Sequence, residues 1–330
     1  MSGRFPLTAA LVAALSISVS AACDGGVVEP VAQEAAEGSF AFGTGGFGGW
    51  SAPVRVEDIP GTHPEFNTGG LDGCPFISRD GKSFYTAAVR DGSRGIDIYV
   101  STRAKAGDPW GPAVNVGEPV NSAGDDFCPT LDRDGHRFFF VSTRGEPGSC
   151  GGGDIYVTRL QGDGTFAEPT NLGCEVNSGG NEAGPFPLPE AGSGPVLYFS
   201  SSPGPGQPGD IYRSESHGGV FGPRALVPGV NSAADDGQPN LRRDGLEMFF
   251  YSTRPDPAAQ SAAPDLYSAT RASTSDPWST PVNLGPVVNS AAGETRPSLS
   301  WDGTELYFGS NRPGTEAGSA DIFVTTRERD

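Results

Sequence analysis

The segment from Arg296 to Thr326, RPSLSWDGTELYFGSNRPGTEAGSADIFVTT, holds an apolar run, a Trp-Asp-Gly turn, an alternating stretch, a loop and an Asp-Ile-Phe stretch. Alternation broken by turn residues describes antiparallel strands joined by tight connections. Four more copies lie upstream, beginning at Pro75, Pro129, Pro185 and Pro239, against Pro297 in the last. The prolines are 54, 56, 54 and 58 residues apart. A period of roughly 56 residues makes this a repeat protein, in which one supersecondary unit buries its apolar faces only against its neighbours.

Each internal copy continues, after its Asp-Ile-Tyr-type strand, into a fourth stretch: Trp110-Gly-Pro-Ala-Val-Asn-Val, Phe166-Ala-Glu-Pro-Thr-Asn-Leu, Phe221-Gly-Pro-Arg-Ala-Leu-Val and Trp278-Ser-Thr-Pro-Val-Asn-Leu. The fifth copy ends near Arg327 without one, and the missing piece stands at the other end of the ring as Trp50-Ser-Ala-Pro-Val-Arg-Val. A four-stranded unit completed by an N-terminal strand closes a β-propeller and removes its open edges. The expectation is therefore an all-β, five-bladed β-propeller over residues 50–330, closed between residues 50–56 and 321–327. The 49 Gly and 30 Pro suit many short strands and turns, and no stretch shows sustained helical periodicity.

The pattern P-x-L-S-x-D-G-x-x-L-Y-F-x-S-x-R, then G-x-D-I-Y-V, then W-x-x-P-V-N-L-G, resembles the TolB-type, WD40-like propeller repeats of bacterial envelope proteins. The resemblance spans about residues 50–330. It implies a propeller among relatives that include envelope scaffolds, proteins fused to peptidoglycan-binding domains and some polysaccharide-processing enzymes. TolB itself is expected to carry six blades and a separate α/β domain, against the five copies here.

Residues 1–22 read as an export signal: Arg4, an apolar core from Leu7 to Val19, then Ser20-Ala21-Ala22. Cys23 follows at once, and the arrangement resembles a bacterial lipoprotein signal in which Cys23 is acylated, although Ser20 stands where such signals usually carry Leu. Export places the protein in the envelope or periplasm, or outside the cell, touching the membrane only through that lipid. Residues 23–49 are rich in Gly, Ala and Glu and read as a flexible tether. Within it Gly43, Gly45 and Gly48 satisfy G-x-G-x-x-G, but no strand precedes and no helix follows, so the match is chance. A formal charge of −18 argues against nucleic acid as a partner. An envelope protein or a polysaccharide is the expected partner of a monomeric chain.

With strands A to D counted outward from the axis, the B-to-C and D-to-A loops share one face. The A-to-B turns, such as Arg79-Asp80-Gly81 and Trp301-Asp302-Gly303, share the other and are ordinary turn chemistry. In the D-to-A loops the eighth residue before each proline is Asn (Asn67, Asn121, Asn177, Asn231, Asn289), and the third is acidic: Asp72, Asp126, Glu182, Asp236 and Glu294. This acidic ring is a candidate site for a cation, with Ca²⁺ the ion that suits oxygen ligands, or for a cationic or polyhydroxylated ligand. Alternatively, each carboxylate bonds the backbone and fixes blade spacing. The Asp opening each third strand (Asp97, Asp154, Asp210, Asp265, Asp321) has a structural role on the same reasoning.

A site normally breaks symmetry. The residue before each proline is Cys74, Cys128, Gly184, Gln238 or Arg296, and the residue after is Phe76, Thr130, Phe186, Asn240 or Ser298. Gln238, Asn240, Arg296 and Ser298, from blades four and five, form a candidate polar sector at the channel mouth. In an exported chain the cysteines point to two disulfides. Cys150 and Cys174 lie on one face of one blade, and Cys74 and Cys128 occupy equivalent places in adjacent blades. No catalytic constellation is visible: His63, His136 and His217 scatter over the ring, and neither G-x-S-x-G nor H-E-x-x-H occurs. The functional expectation is a non-catalytic exported binding or scaffold module that reads its ligand on the D-to-A loop face. The alternative is a glycoside hydrolase or lyase using channel-mouth carboxylates.

Overall fold

The computed structural model describes residues 46–190, 194–204, 206–315 and 319–329. The expected signal over residues 1–22, Cys23 and the tether up to residue 45 lie outside the described residues. The remainder forms five antiparallel sheets. Strand β1 (Val54–Arg55) precedes a short 3-10 turn, Val56–Asp58. Blade one is then β2 (Asp72–Ile77), β3 (Ser83–Ala88), β4 (Asp97–Thr102) and β5 (Val114–Asn115). Blade two is β6 (Asp126–Leu131), β7 (Arg137–Ser142), β8 (Asp154–Arg159) and β9 (Thr170–Asn171). Blade three comprises β10 (Asn181–Pro189), β11 (Pro195–Ser202), β12 (Asp210–His217) and two outer pieces on β12, namely β13 (Val220–Phe221) and β14 (Ala225–Leu226). Blade four is β15 (Asp236–Leu241), β16 (Glu247–Ser252), β17 (Asp265–Thr270) and β18 (Val282–Asn283), and blade five holds β19 (Glu294–Leu299), β20 (Glu305–Ser310) and β21 (Asp321–Thr326).

The inner strands β2, β6, β10, β15 and β19 touch in that order, and β19 touches β2, so the ring is closed. The fold is a five-bladed β-propeller. Its last blade takes its outer strand from the N-terminal side: Val54 pairs with Val324 and Arg55 with Phe323. Two further backbone bonds extend the seam, from Ser51 N–H to the Thr326 carbonyl and from Gly48 N–H to the Glu328 carbonyl. The Arg327 guanidinium lies 4.5 Å from the Trp50 ring centroid and 4.0 Å from that of Phe47. Beneath the seam Val56, Phe66, Phe84, Trp110, Tyr307, Ile322 and Val324 form one apolar cluster joining blades five and one.

Blades packed face to face explain the second strands, which are apolar almost throughout rather than alternating. In β7 Phe138, Phe139, Phe140 and Val141 are all fully buried, because both faces of the sheet meet a neighbour. The outer strands are only two residues long and leave Val54, Val114, Leu226 and Val282 exposed, a short rim that offers little edge for pairing. Asp132, which breaks the repeat pattern at the A-to-B turn of blade two, accepts from the His136 and Arg137 N–H groups and pairs with Arg137 at 2.9 Å, a turn cap. Both disulfides are formed: Cys74–Cys128 joins the inner strands of blades one and two with Cα atoms 4.6 Å apart, and Cys150–Cys174 closes blade two with 5.5 Å. Among the described residues no helix is long and apolar enough to cross a membrane.

Candidate functional site

The D-to-A loops connect neighbouring blades through side chains. Each loop Asn treats the third strand of the blade before it as a pairing partner. Asn121 accepts from Ile98 N–H at 2.8 Å and donates to the Ile98 carbonyl at 2.9 Å. Asn67, Asn177, Asn231 and Asn289 do the same to Ile322, Ile155, Ile211 and Leu266. A side-chain amide carries the donor and acceptor of a peptide group, which is why the loop position holds Asn.

The acidic ring does not open to a ligand. Asp72, Asp126, Glu182, Asp236 and Glu294 are at most 1 % exposed, and each accepts hydrogen bonds within the fold, although Glu182 does so through Oε1 alone and leaves Oε2 buried without a partner. Asp126 accepts from the Ser122 N–H and hydroxyl and from Arg144 at 3.0 Å. Thr68 and Arg90 serve Asp72, Ser232 and Arg254 serve Asp236, and Ser290 and Arg312 serve Glu294. In blade three the arginine position is Pro203, and Arg224 approaches Glu182 from elsewhere at 3.6 Å. Each of these arginines also lies over an aromatic ring: Tyr99, Tyr156, Tyr212, Tyr267 or Phe323. Burial is the dominant influence on the Asp72 carboxyl, pushing it up to about 6, and it raises Glu182 as well. Of the two readings of the ring, this geometry fits the structural one, with one arginine within 3.6 Å of each carboxylate. Among the described residues no three His, Cys, Asp or Glu side chains converge as metal donors. Three of the Asp residues that open third strands are framework too, since Asp97, Asp154 and Asp265 accept from Asn115, Asn171 and Asn283 of the outer strands. At Asp321 the outer strand offers Arg55 instead, at 3.7 Å.

The channel is closed near the prolines. In all five blades the pairing of inner and second strands slips by a bulge at the X-Pro pair, between Gly73 and Phe76 in blade one, for example. Blade three slips between Ala183 and Phe186. The residue before each proline takes a left-handed conformation, with φ of 47° at Cys74, 51° at Cys128, 57° at Gly184, 52° at Gln238 and 58° at Arg296. The bulges turn these five residues and their prolines toward the axis, leaving a free volume of about 30 Å³. Gln238, Asn240 and Arg296 line it, together with Thr130, Phe76, Phe186 and both Cys74 and Cys128. Ser298, the fourth member of the expected polar sector, is not in that lining; it is 2 % exposed. A space of this size holds a water or two and is too small for a sugar ring.

Larger clefts flank the loop over residues 64–71. On its axial side Gly69, Gly70, Leu71, Pro264, Gly293, Thr295, Asn311, Ser319 and Ala320 bound about 490 Å³ without a charged group. On its outer side about 700 Å³ is bounded by Glu65, Asn67, Thr68, Val89, Arg90, Asp91, Tyr99 and their neighbours. Sequence reasoning missed both, because neither follows the repeat. The available signal was the insertion before blade one, which the notable His63-Pro64 stretch occupies. The three histidines do not come together: His63 accepts from Glu65 N–H, His136 sits in an exposed turn and His217 ends β12.

No family model matches this sequence, and no curated protein matches it. Solved structures share its fold. A thermostable family-43 glycoside hydrolase superposes with a TM-score of 0.53 at 13 % identity, covering 79 % of this chain and 89 % of its own. The α-L-arabinofuranosidase PaAbf62A from Podospora anserina, in complex with cellotriose, gives 0.53 at 13 % identity over 87 % of this chain and 98 % of its own. TolB from Acinetobacter baumannii gives 0.44 at 13 % identity over 77 % of this chain and 53 % of its own. At these identities the first two likenesses speak for the propeller fold alone.

Proposed function

We propose that this propeller is a non-catalytic, exported binding module of the cell envelope that holds a polysaccharide on the D-to-A loop face, across residues 64–71. The observation that carries this reading is the placement of polar groups. The ring carboxylates are closed into the framework, whereas the two clefts on the loop face are open; the smaller is bounded by neutral hydroxyl, amide and backbone groups, and the larger adds Glu65, Arg90 and Asp91 to neutral neighbours. Neutral donors and acceptors beside small residues suit a polyhydroxylated ligand, which needs directional hydrogen bonds and close backbone approach. Two disulfides favour an oxidising compartment and hence export. Acylation of Cys23 would hold the module at a membrane surface.

One observation favours the carbohydrate-active alternative. Glu65 and Asp91, both exposed, line the same cleft, and glycoside hydrolysis needs two carboxylates flanking the scissile bond. In that reading these two residues replace the buried ring acids as the catalytic pair. The test is retention of the purified protein on immobilised cell-wall and extracellular polysaccharides, with and without Ca²⁺, beside Glu65→Ala and Asp91→Ala. Retention weakened by either substitution supports the cleft as the site. Failure to be retained by any glycan overturns the polysaccharide reading in favour of a protein partner.

A further inference from the structure

Arg296 is anomalous among the arginines near the axis. Arg90, Arg144, Arg224, Arg254 and Arg312 each face a ring carboxylate, but Arg296 forms no ion pair among the described residues. Its Nε is buried without a hydrogen-bond partner. Burial draws its pKa down, and the one ionisable group acting on it is the Tyr251 phenol, itself raised by burial and by Asp235 and therefore neutral. Its guanidinium lies against Gly73 of the adjacent blade, where a Cβ would come within 2.6 Å of Nη1. The side chain is partly exposed as a whole, but its Nε is buried, and a cation so placed without a counter-charge is costly.

The lining around it completes the picture. Gln238 directs its amide Nε2 only to the Cys128 sulfur, at 3.7 Å, a weak acceptor. Asn240 uses Oδ1 to accept from Leu299 N–H, which leaves its Nδ2 as a donor without a protein partner among the described residues. The rest of the wall is the Cys74–Cys128 disulfide, five prolines, Phe76, Phe186, Gly184 and Thr130, with no carboxylate. One cation-bearing and two amide-bearing side chains thus line a free volume of about 30 Å³, and no carboxylate is among the lining residues.

We infer that the axial cavity binds a small monatomic anion of halide size, held by Arg296 with the Gln238 and Asn240 amides. The ion supplies the counter-charge that the chain does not, and partial removal from water strengthens that pairing. It would join blades four and five at the axis, independently of what the loop face binds.

The test compares thermal unfolding of the full chain in sodium chloride or bromide with sodium gluconate at equal ionic strength, gluconate being too large for the cavity. A saturable rise in Tm with halide is expected, following the linkage of a ligand to the native state alone. In Arg296→Gln the halide and gluconate curves should coincide. Crystals grown in bromide should show an anomalous peak within hydrogen-bond reach of the Arg296 guanidinium, a measurement on the parent protein that stands even if the variant folds poorly. Equal melting in the two salts, a halide effect that survives Arg296→Gln, or an empty cavity in the bromide map would each overturn the inference.

Discussion

Replacing Asp126 with Ala removes one framework pair and should unfold the ring far more readily without touching the loop-face clefts. The carboxylate is fully buried and holds the Ser122 N–H, the Ser122 hydroxyl and Arg144. The Arg144 side chain is 7 % exposed and also donates to the Pro119 and Val120 carbonyls, so the substitution strands it beside a cavity. Breaking a buried pair by removing one partner costs about 3–5 kcal/mol. For a chain of this size that is a Tm drop on the order of 10 °C. Urea unfolding followed by tryptophan fluorescence, with the midpoint converted through the slope, gives the number. A second variant, Asp126→Leu with Arg144→Met, should recover much of the loss, because an apolar pair of matched volume replaces a buried ion pair at little cost. A loss below about 1 kcal/mol in Asp126→Ala, with a native circular dichroism spectrum, would refute the framework reasoning; so would loss of glycan retention in the recovered double variant.

Three other outcomes follow from the same geometry. Deleting residues 46–56 removes β1, Trp50 and Phe47 and so exposes the edge of β21; the whole ring should melt early rather than one blade, and a parental Tm would contradict the closure. The Asp72 carboxyl moves from 3.8 to about 6 on folding, so the folded chain holds that proton more tightly; stability should fall as pH rises from about 4 to about 6, and urea midpoints of Asp72→Asn across that window should lack this component. Replacing Cys74 and Cys128 together with Ser opens a loop of sequence separation 54, and the chain-entropy model sets the loss at about 4 kcal/mol, measurable by urea unfolding under matched non-reducing conditions.

The repeat made much of this legible before any coordinates. Five prolines at a near-constant interval set the number of blades. The stray Trp50-Ser-Ala-Pro-Val-Arg-Val identified the closing strand, and blade equivalence paired the cysteines. What stayed hidden was side-chain direction. Counting back from the prolines finds Asp126 and Asn121, but whether they face solvent or the neighbouring blade depends on how the loop folds over the third strand. The bulge at each X-Pro pair also shifts the register of the inner strand, so the residues on either side of the proline both approach the axis in four blades, while Ser298 leaves the lining. Compensation was equally invisible: Arg224 takes the place of the absent arginine of blade three from a different point in the sequence. The clefts beside residues 64–71 come from a non-repeating insertion, where a period carries no information.

The most direct measurement is product analysis after long incubation of the full chain with the polysaccharides that retain it, scoring new reducing ends and unsaturated products. A binding module predicts retention with no product above the protein-free control. Product that appears with the parent protein and vanishes in Glu65→Gln or Asp91→Asn would contradict it and assign the outer cleft to catalysis.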